Sequence, residues 1–256
     1  MNTSKIVLIT GATSGIGRAC AMKFASQPGY DVIITGRKPE LLADLEAELK
    51  KYGKGRVTSL CFDVRERGVA FEAIASLPAD WAEIDVLINN AGLALGLEPE
   101  YDGSYLDWDT MIDTNIKGLL TMTRLVVPGM VERNRGHVIN IGSVAGDAAY
   151  AGGNVYCATK AAVKTLTDGL RIDVAHTAVR VTNIKPGLVE TNFSNTRFHG
   201  DNARADKVYQ GIEPLTGDDI ADVALYAAQA PAHVQIAEVL VLATHQASGS
   251  VIHRNS

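Results

Sequence analysis

Seven short runs rich in β-branched and aliphatic residues punctuate the chain and constrain its fold more than any other feature. They are KIVLIT (5–10), DVIIT (31–35), RVTSLCF (56–62), IDVLIN (84–89), HVINIG (137–142), VRVTNIK (179–185) and AEVLVLA (237–243). Several are near-continuously apolar, as strands buried on both faces of a parallel sheet must be. Helical patterns lie between them. The stretch PELLADLEAELKKYG sets Leu41, Leu45 and Leu49 on one face and runs to a stop at Gly53. This alternation predicts an α/β fold: a doubly wound parallel seven-stranded sheet of Rossmann type, with helices on both faces and right-handed crossovers. No linker, repeat or low-complexity segment divides the 256 residues, so a single domain over 1–256 accounts for them.

Composition excludes several function classes. A formal net charge of -5 and the absence of any basic run beyond pairs such as Lys50-Lys51 argue against nucleic-acid binding. No stretch approaches the ~18 apolar residues of a membrane span, and the opening MNTSKIVLIT is too short for a signal-peptide core, so a cytoplasmic location is expected. Cys20, Cys61 and Cys157 are widely spaced, with no Cys-x-x-Cys and no histidine at metal-ligand spacing. They read as reduced core thiols, and no metal site is expected.

Two local patterns carry chemistry. TGATSGIGRA (10–19) follows the first strand and opens a helix. Gly11, Gly15 and Gly17 permit a tight turn whose backbone approaches a diphosphate, with Thr13, Ser14 and Ile16 at the helix N-terminus. The spacing is not that of an ATPase phosphate loop. At the end of the second strand, where an NAD site would carry an acidic residue for the ribose hydroxyl, the chain has Thr35, Gly36, Arg37 and Lys38. A cationic pair there suits a 2'-phosphate and hence NADP. The second pattern is NVYCATKAAV (154–163), which sets Tyr156 and Lys160 four apart on one helix face, so that an ammonium sits beside a phenol. The polar stretch 190–214 is long for a connection and follows a strand's carboxyl end, which predicts a substrate lid.

With these stretches in hand, the chain resembles the short-chain dehydrogenase/reductase family over essentially its whole length. The matching residues are TGATSGIG (10–17), Asp63 with Val64, NNAG (89–92), Asn115, Ser143, Tyr156 with Lys160, and PGLVET (186–191). The resemblance implies a catalytic set of Asn115, Ser143, Tyr156 and Lys160. Tyr156 would be the acid/base, Lys160 would lower its pKa and hold the nicotinamide ribose, Ser143 would orient the substrate carbonyl, and Asn115 would hold a water linking Lys160 to solvent. A helix kink is the alternative reading of Asn115. It also implies cofactor contacts from Asn90, Ala91 and Gly92 and from Pro186, Gly187, Val189 and Thr191, beside those already named. Within the family, NNAGLALGLEP, YAGGNVY, FSNTRF and PAHVQI look like bacterial NADP-dependent 3-hydroxy acid dehydrogenases. That likeness implies serine, allo-threonine or 3-hydroxypropionate/malonic semialdehyde as substrate and a homotetramer built through helices around 106–133 and 154–176.

Two other functions compete. A 3-oxoacyl-carrier-protein reductase would use the same residues on an acidic partner, but needs a basic docking patch that Arg124, Arg133 and Arg135 are too dispersed to form. An NADP-sensing module without turnover has no need of the full Asn-Ser-Tyr-Lys set. A hydroxy acid substrate requires a cation near Ser143 and Tyr156 for its carboxylate. Arg197, flanked by Phe193 and Phe198, is the candidate that can fold inward, whereas Arg204 between Asp201 and Asp206 reads as a solvated salt-bridge partner.

Overall fold

The computed structural model describes residues 4–254. Its sheet has the strand order β3-β2-β1-β4-β5-β6-β7, formed by β1 (Lys5–Ile9), β2 (Tyr30–Gly36), β3 (Val57–Cys61), β4 (Ile84–Asn89), β5 (Gly136–Ile141), β6 (Val179–Pro186) and β7 (Glu238–Val241). Every pairing is parallel. All seven apolar runs are therefore strands, and the order reverses between β1 and β4, which opens a crevice at the strands' carboxyl ends. The helices are α1 (Gly15–Ala25), α2 (Pro39–Tyr52), α3 (Arg67–Ala75), α4 (Tyr105–Ile112), α5 (Leu119–Glu132), α6 (Asn154–Asp173), α7 (Phe193–Arg197), α8 (Asn202–Lys207) and α9 (Gly217–Gln229).

The continuous apolar strands follow from cores on both faces. Val7, Ile9, Val32 and Ile34 pack with Phe24 of α1, Leu45 of α2 and Ala224 of α9, while the intervening Ile6, Leu8 and Ile33 pack with Met122, Val126 and Met130 of α5. A strand with period-two side chains thus needs an apolar residue at every position. At the sheet's edge β7 is half exposed, and Leu240 stays in contact with solvent.

The face of α2 differs from the expected one. Leu42, Leu45 and Leu49 are buried, and Leu41 is exposed, because the mixed three-and-four spacing follows the 3.6-residue turn where strict fours drift off it. Gly53 does end the helix, at φ -77 rather than in the left-handed region. A Cβ there would lie 2.5 Å from the Leu49 carbonyl oxygen, so close approach explains the glycine. Of the three thiols, Cys20 and Cys157 are buried, whereas Cys61, at the last position of edge strand β3, is exposed and corrects the reading of three core thiols.

A buried polar chain fixes α6 on the sheet. Asn89 Nδ2 donates to Asn140 Oδ1 (2.9 Å), Asn140 Nδ2 to Thr167 Oγ1 (2.8 Å), and Thr167 Oγ1 to the Val163 carbonyl (2.6 Å). It joins β4, β5 and α6, and therefore sets where α6 presents its side chains. Removing the middle member takes from Asn89 Nδ2 its shorter bond, leaving the one to Thr123 (3.4 Å), and from Thr167 Oγ1 the donor it accepts, both in a buried site. Asn140→Ala is expected to lower unfolding free energy in urea by about 2–4 kcal/mol; a loss below about 0.5 kcal/mol would show the chain to be incidental.

Candidate functional site

The glycine turn after β1 takes the shape its sequence requires. Gly11 and Gly15 have φ of +64 and +52, and a Cβ on Gly17 would sit 2.3 Å from both the Gly11 carbonyl oxygen and Asn90 Nδ2. Gly17 is thus the packing glycine behind the turn, while Gly11, Thr13, Ser14, Gly15 and Ile16 line the crevice. Ser14, the N-cap of α1, makes no side-chain capping bond, so the helix's first N–H groups are left for an anion. Asn90 locks the turn by donating Nδ2 to the Thr10 and Gly11 carbonyls (2.9 and 3.1 Å), and Thr10 Oγ1 accepts from the Asn90 and Ala91 amides (both 3.0 Å).

The cleft has a volume of about 600 Å³ and runs along the carboxyl ends of the strands. Arg37, Asp63, Val64, Asn90, Ala91, Gly92, Pro186, Gly187, Val189 and Thr191 line it, so nearly all of the expected cofactor contacts converge. Two stay outside the lining: Gly17, which packs behind the turn, and Lys38, the exposed N-cap of α2. Asp63 accepts from Arg65 (Nη2 at 2.8 Å) and lies 3.6 Å from Arg37 Nη1. Burial alone would raise its pKa, and the Arg65 and Arg37 contacts reverse that and hold the carboxyl below its ordinary value. Arg65 was not legible as part of this cluster.

The remaining residues of the expected catalytic set meet at the ends of β4 and β5. Asn115 sits in a π-helical turn, Asp113–Gly118, between α4 and α5, so the helix irregularity read from its position is present. Its Oδ1 accepts from the Leu93 amide (2.9 Å), and its Nδ2 donates to the Leu93 carbonyl (2.8 Å) and to Thr159 Oγ1 (3.0 Å). The side chain clamps the loop after β4 onto α6. Ser143 caps the short 3₁₀ turn Val144–Gly146 by accepting from the Ala145 amide (3.1 Å). α6 approaches this turn so closely that a Cβ on Gly146 would sit 2.7 Å from the Lys160 carbonyl oxygen.

Tyr156 and Lys160 are both buried, at 9% and 7% exposure. Lys160 Nζ donates to the Ile141 carbonyl at the end of β5 (2.8 Å) and lies 5.9 Å from the Tyr156 ring centroid. Burial lowers the Lys160 pKa to about 8. Burial also raises Tyr156 well above an ordinary phenol; Ser143 and Arg197 oppose the shift without cancelling it. Among the chain's own groups, low-dielectric burial is the largest influence on this phenol.

The stretch 190–214 is not wholly irregular: it contains α7 and α8. Its Phe193 ring packs on Tyr156 at 5.6 Å, and Phe198 is buried. Arg197 folds inward, with its guanidinium carbon 5.4 Å from the Tyr150 ring centroid and 5.8 Å from that of Tyr156. Nη1 donates to the Tyr150 hydroxyl (2.8 Å) and Nε to the Gly96 carbonyl (3.2 Å), while Nη2 is buried without a partner. Arg204 lies outside the cleft lining; its guanidinium covers the Phe198 ring at 4.6 Å, and its backbone amide, not its side chain, donates to Asp201 Oδ1 (3.1 Å). The C-terminal residues Gln246, Ile252 and Arg254 also line the cleft, and no sequence signal pointed to them.

A family model described as short chain dehydrogenase matches residues 5–202. A Salmonella typhi protein described as NADP-dependent 3-hydroxy acid dehydrogenase YdfG is 53% identical over 98% of this chain and 100% of its own length. A solved structure, the closed form of serine dehydrogenase complexed with NADP+, has a TM-score of 0.90 at 51% identity, over 98% of this chain and 100% of that one. A 3-oxoacyl-[acyl-carrier protein] reductase with bound NAD from Brucella melitensis has a TM-score of 0.78 at 29% identity, over 93% and 89%. The glycine turn, the buried tyrosine–lysine pair and this run of similarity lead to one conclusion: the chain belongs to the short-chain dehydrogenase/reductase family.

Proposed function

We propose that the chain is an NADP-dependent oxidoreductase that moves a hydride between the nicotinamide and the 3-carbon of a small 3-hydroxy acid. Serine, allo-threonine and 3-hydroxypropionate, with malonic semialdehyde in the reverse direction, form the substrate set. Similarity to proteins described as 3-hydroxy acid and serine dehydrogenases supports this set. The observation that carries it is the Arg197 guanidinium. It stands against Tyr156 with a buried, unpartnered Nη2, and among the described residues no carboxylate pairs with it. A half-buried cation left in that state is costly unless an anion joins it. A substrate carboxylate supplies that anion and sets the hydroxyl-bearing carbon near Ser143 and Tyr156.

The residues present fit the dinucleotide. The glycine cradle and open helix N-terminus of α1 suit the diphosphate, Asn90, Ala91 and Gly92 follow it along the cleft, and Arg37 at the end of β2 suits a 2'-phosphate. When bound, NADP supplies the hydride acceptor for oxidation or, reduced, the hydride donor.

The chain's own groups manage the proton. In oxidation the substrate C–H bond breaks with its electron pair leaving as hydride, and the hydroxyl proton passes to the Tyr156 oxygen; reduction reverses both transfers. Ser143 orients the oxygen. Lys160, fixed by the Ile141 carbonyl, holds its remaining N–H donors toward the cleft for the ribose. The Asn115 side chain braces Leu93 and Thr159, and Asn115, in the widened turn, takes the water-holding role. Stretch 190–214 acts as the lid that excludes solvent from the transfer.

A reductase docking an acidic carrier protein is less well supported. Arg135 pairs with Asp85 (2.8 Å), and Arg133 donates to the Ile84 carbonyl (2.9 Å), both at the amino end of β4 and away from the cleft. The proposed enzyme is cytoplasmic and homotetrameric; the exposed apolar Tyr105, Leu106 and Leu120 beside the π turn support association of that face.

Two measurements test this reading. Arg37→Ala is expected to raise Kd for NADP(H) by about tenfold or more and leave NAD(H) binding within about twofold, since only a phosphate contact is lost; an unchanged NADP/NAD preference would contradict it. Arg197→Ala is expected to raise KM for 3-hydroxypropionate roughly ten- to a hundredfold and to move KM for 1,3-propanediol less than about threefold. Equal changes for the acid and the diol would remove the carboxylate from the Arg197 site.

A further inference from the structure

Arg197 has five N–H donors, and the structure fixes how the first of them are used. Nε is held by the Gly96 carbonyl at 3.2 Å, and the Gly96 amide donates back to the Arg197 carbonyl at 2.9 Å. Gly96 has φ +68, a conformation suited to glycine, and a Cβ there would lie 2.4 Å from Glu98 Oε2. This reciprocal pair fastens the root of the side chain. The guanidinium plane can still turn about its last bonds, and the group that stops it is Tyr150, whose hydroxyl accepts from Nη1 at 2.8 Å.

Tyr150 is well placed for that task. It stands just before α6, in the loop that follows the Ser143 turn, and it lines the cleft. Burial, with a smaller push from Cys157, raises its pKa against the opposing pull of Arg197 and leaves it a neutral phenol. A neutral hydroxyl that accepts from Nη1 keeps its own O–H to donate. With Nε and one Nη1 hydrogen engaged, the second Nη1 hydrogen and both on Nη2 remain, the end-on fork that a carboxylate accepts in parallel. Nη2 is the atom left buried without a partner.

Resting on the reading of Arg197 as the carboxylate-binding group, we infer that Tyr150 is a specificity-determining positioning residue: its hydroxyl holds the Arg197 guanidinium end-on to the substrate carboxylate and offers its own O–H to the same anion. Tyr150 takes no part in the proton or hydride transfer. Its loss therefore weakens acid binding and leaves the chemical step, and any substrate without a carboxylate, unaffected.

The test is Tyr150→Phe, which keeps the ring and removes only the oxygen, alone and combined with Arg197→Ala, assayed with 3-hydroxypropionate and 1,3-propanediol in parallel. Tyr150→Phe is expected to raise KM for the acid roughly five- to thirtyfold, with kcat within about twofold and KM for the diol unchanged. Because Tyr150 acts chiefly through Arg197, the double variant is expected to match Arg197→Ala within about threefold. Additive effects, equal KM changes for acid and diol, or a fall in kcat with KM unchanged would each overturn the inference. If Arg197→Ala discriminates acid from diol and Tyr150→Phe does not, Tyr150 loses its role while the hydroxy acid reading stands. If neither variant discriminates, the reading itself fails.

Discussion

The hydrogen bond from the Lys160 ammonium to the Ile141 carbonyl ties the site's helix to the site's strand. It places a cation inside the protein, beside a buried phenol, at the point where β5 gives way to the Ser143 turn. Such a cation is tolerated because the strand's last carbonyl faces it and because α6 is already fixed by the Asn89–Asn140–Thr167 chain one layer below. The Asn115 side chain adds a third tie, binding α6 through Thr159 to the loop after β4. Three polar connections thus hold one helix face to the strand ends with little freedom, and Ser143, Tyr156 and Lys160 all depend on that placement.

Burial gives the pair its electrostatic character. It lowers Lys160 to about 8 and raises Tyr156, so the chain holds a protonated phenol next to an ammonium whose charge is already disfavoured. In the proposed reaction that state is the proton donor for reduction. The same low-dielectric surroundings strengthen each charge brought into the cleft, and the inward Arg197 is such a charge. The two groups to which the proposal gives proton transfer and carboxylate binding stand within one ring's breadth of each other, with Phe193 packed on Tyr156 and Phe198 buried nearby in the same stretch.

What the sequence made legible was what is local. The glycine turn and the Tyr156–Lys160 spacing lie within single turns of chain, so strand ends and helical periodicity sufficed to find them. Arg197 could be singled out because Phe193 and Phe198 flank it and both do pack inward. The readings that failed concern fine register and burial: Leu41 differs from Leu42 by 100° around a helix, and Cys61 falls on an edge strand. Tyr150 and Gly96 were beyond reach. Both lie in stretches that carry the family likeness, YAGGNVY and NNAGLALGLEP, but their bonds to Arg197 span 47 and 101 positions, a pairing no local pattern reveals. The same holds for Gln246 and Arg254, which reach the cleft only because the chain returns past β7 to it.

Assignment of proton transfer to Tyr156 makes the pH dependence of kcat/KM for 3-hydroxypropionate oxidation the decisive measurement. The phenol must be deprotonated to accept the substrate proton, so activity rises with pH as it ionises. Such a rise is expected for the wild type, and for Tyr156→Phe a loss of about 10²- to 10⁴-fold with that ionisation gone while NADP affinity is retained. A Tyr156→Phe enzyme that kept the wild-type profile, or half its activity, would contradict the account.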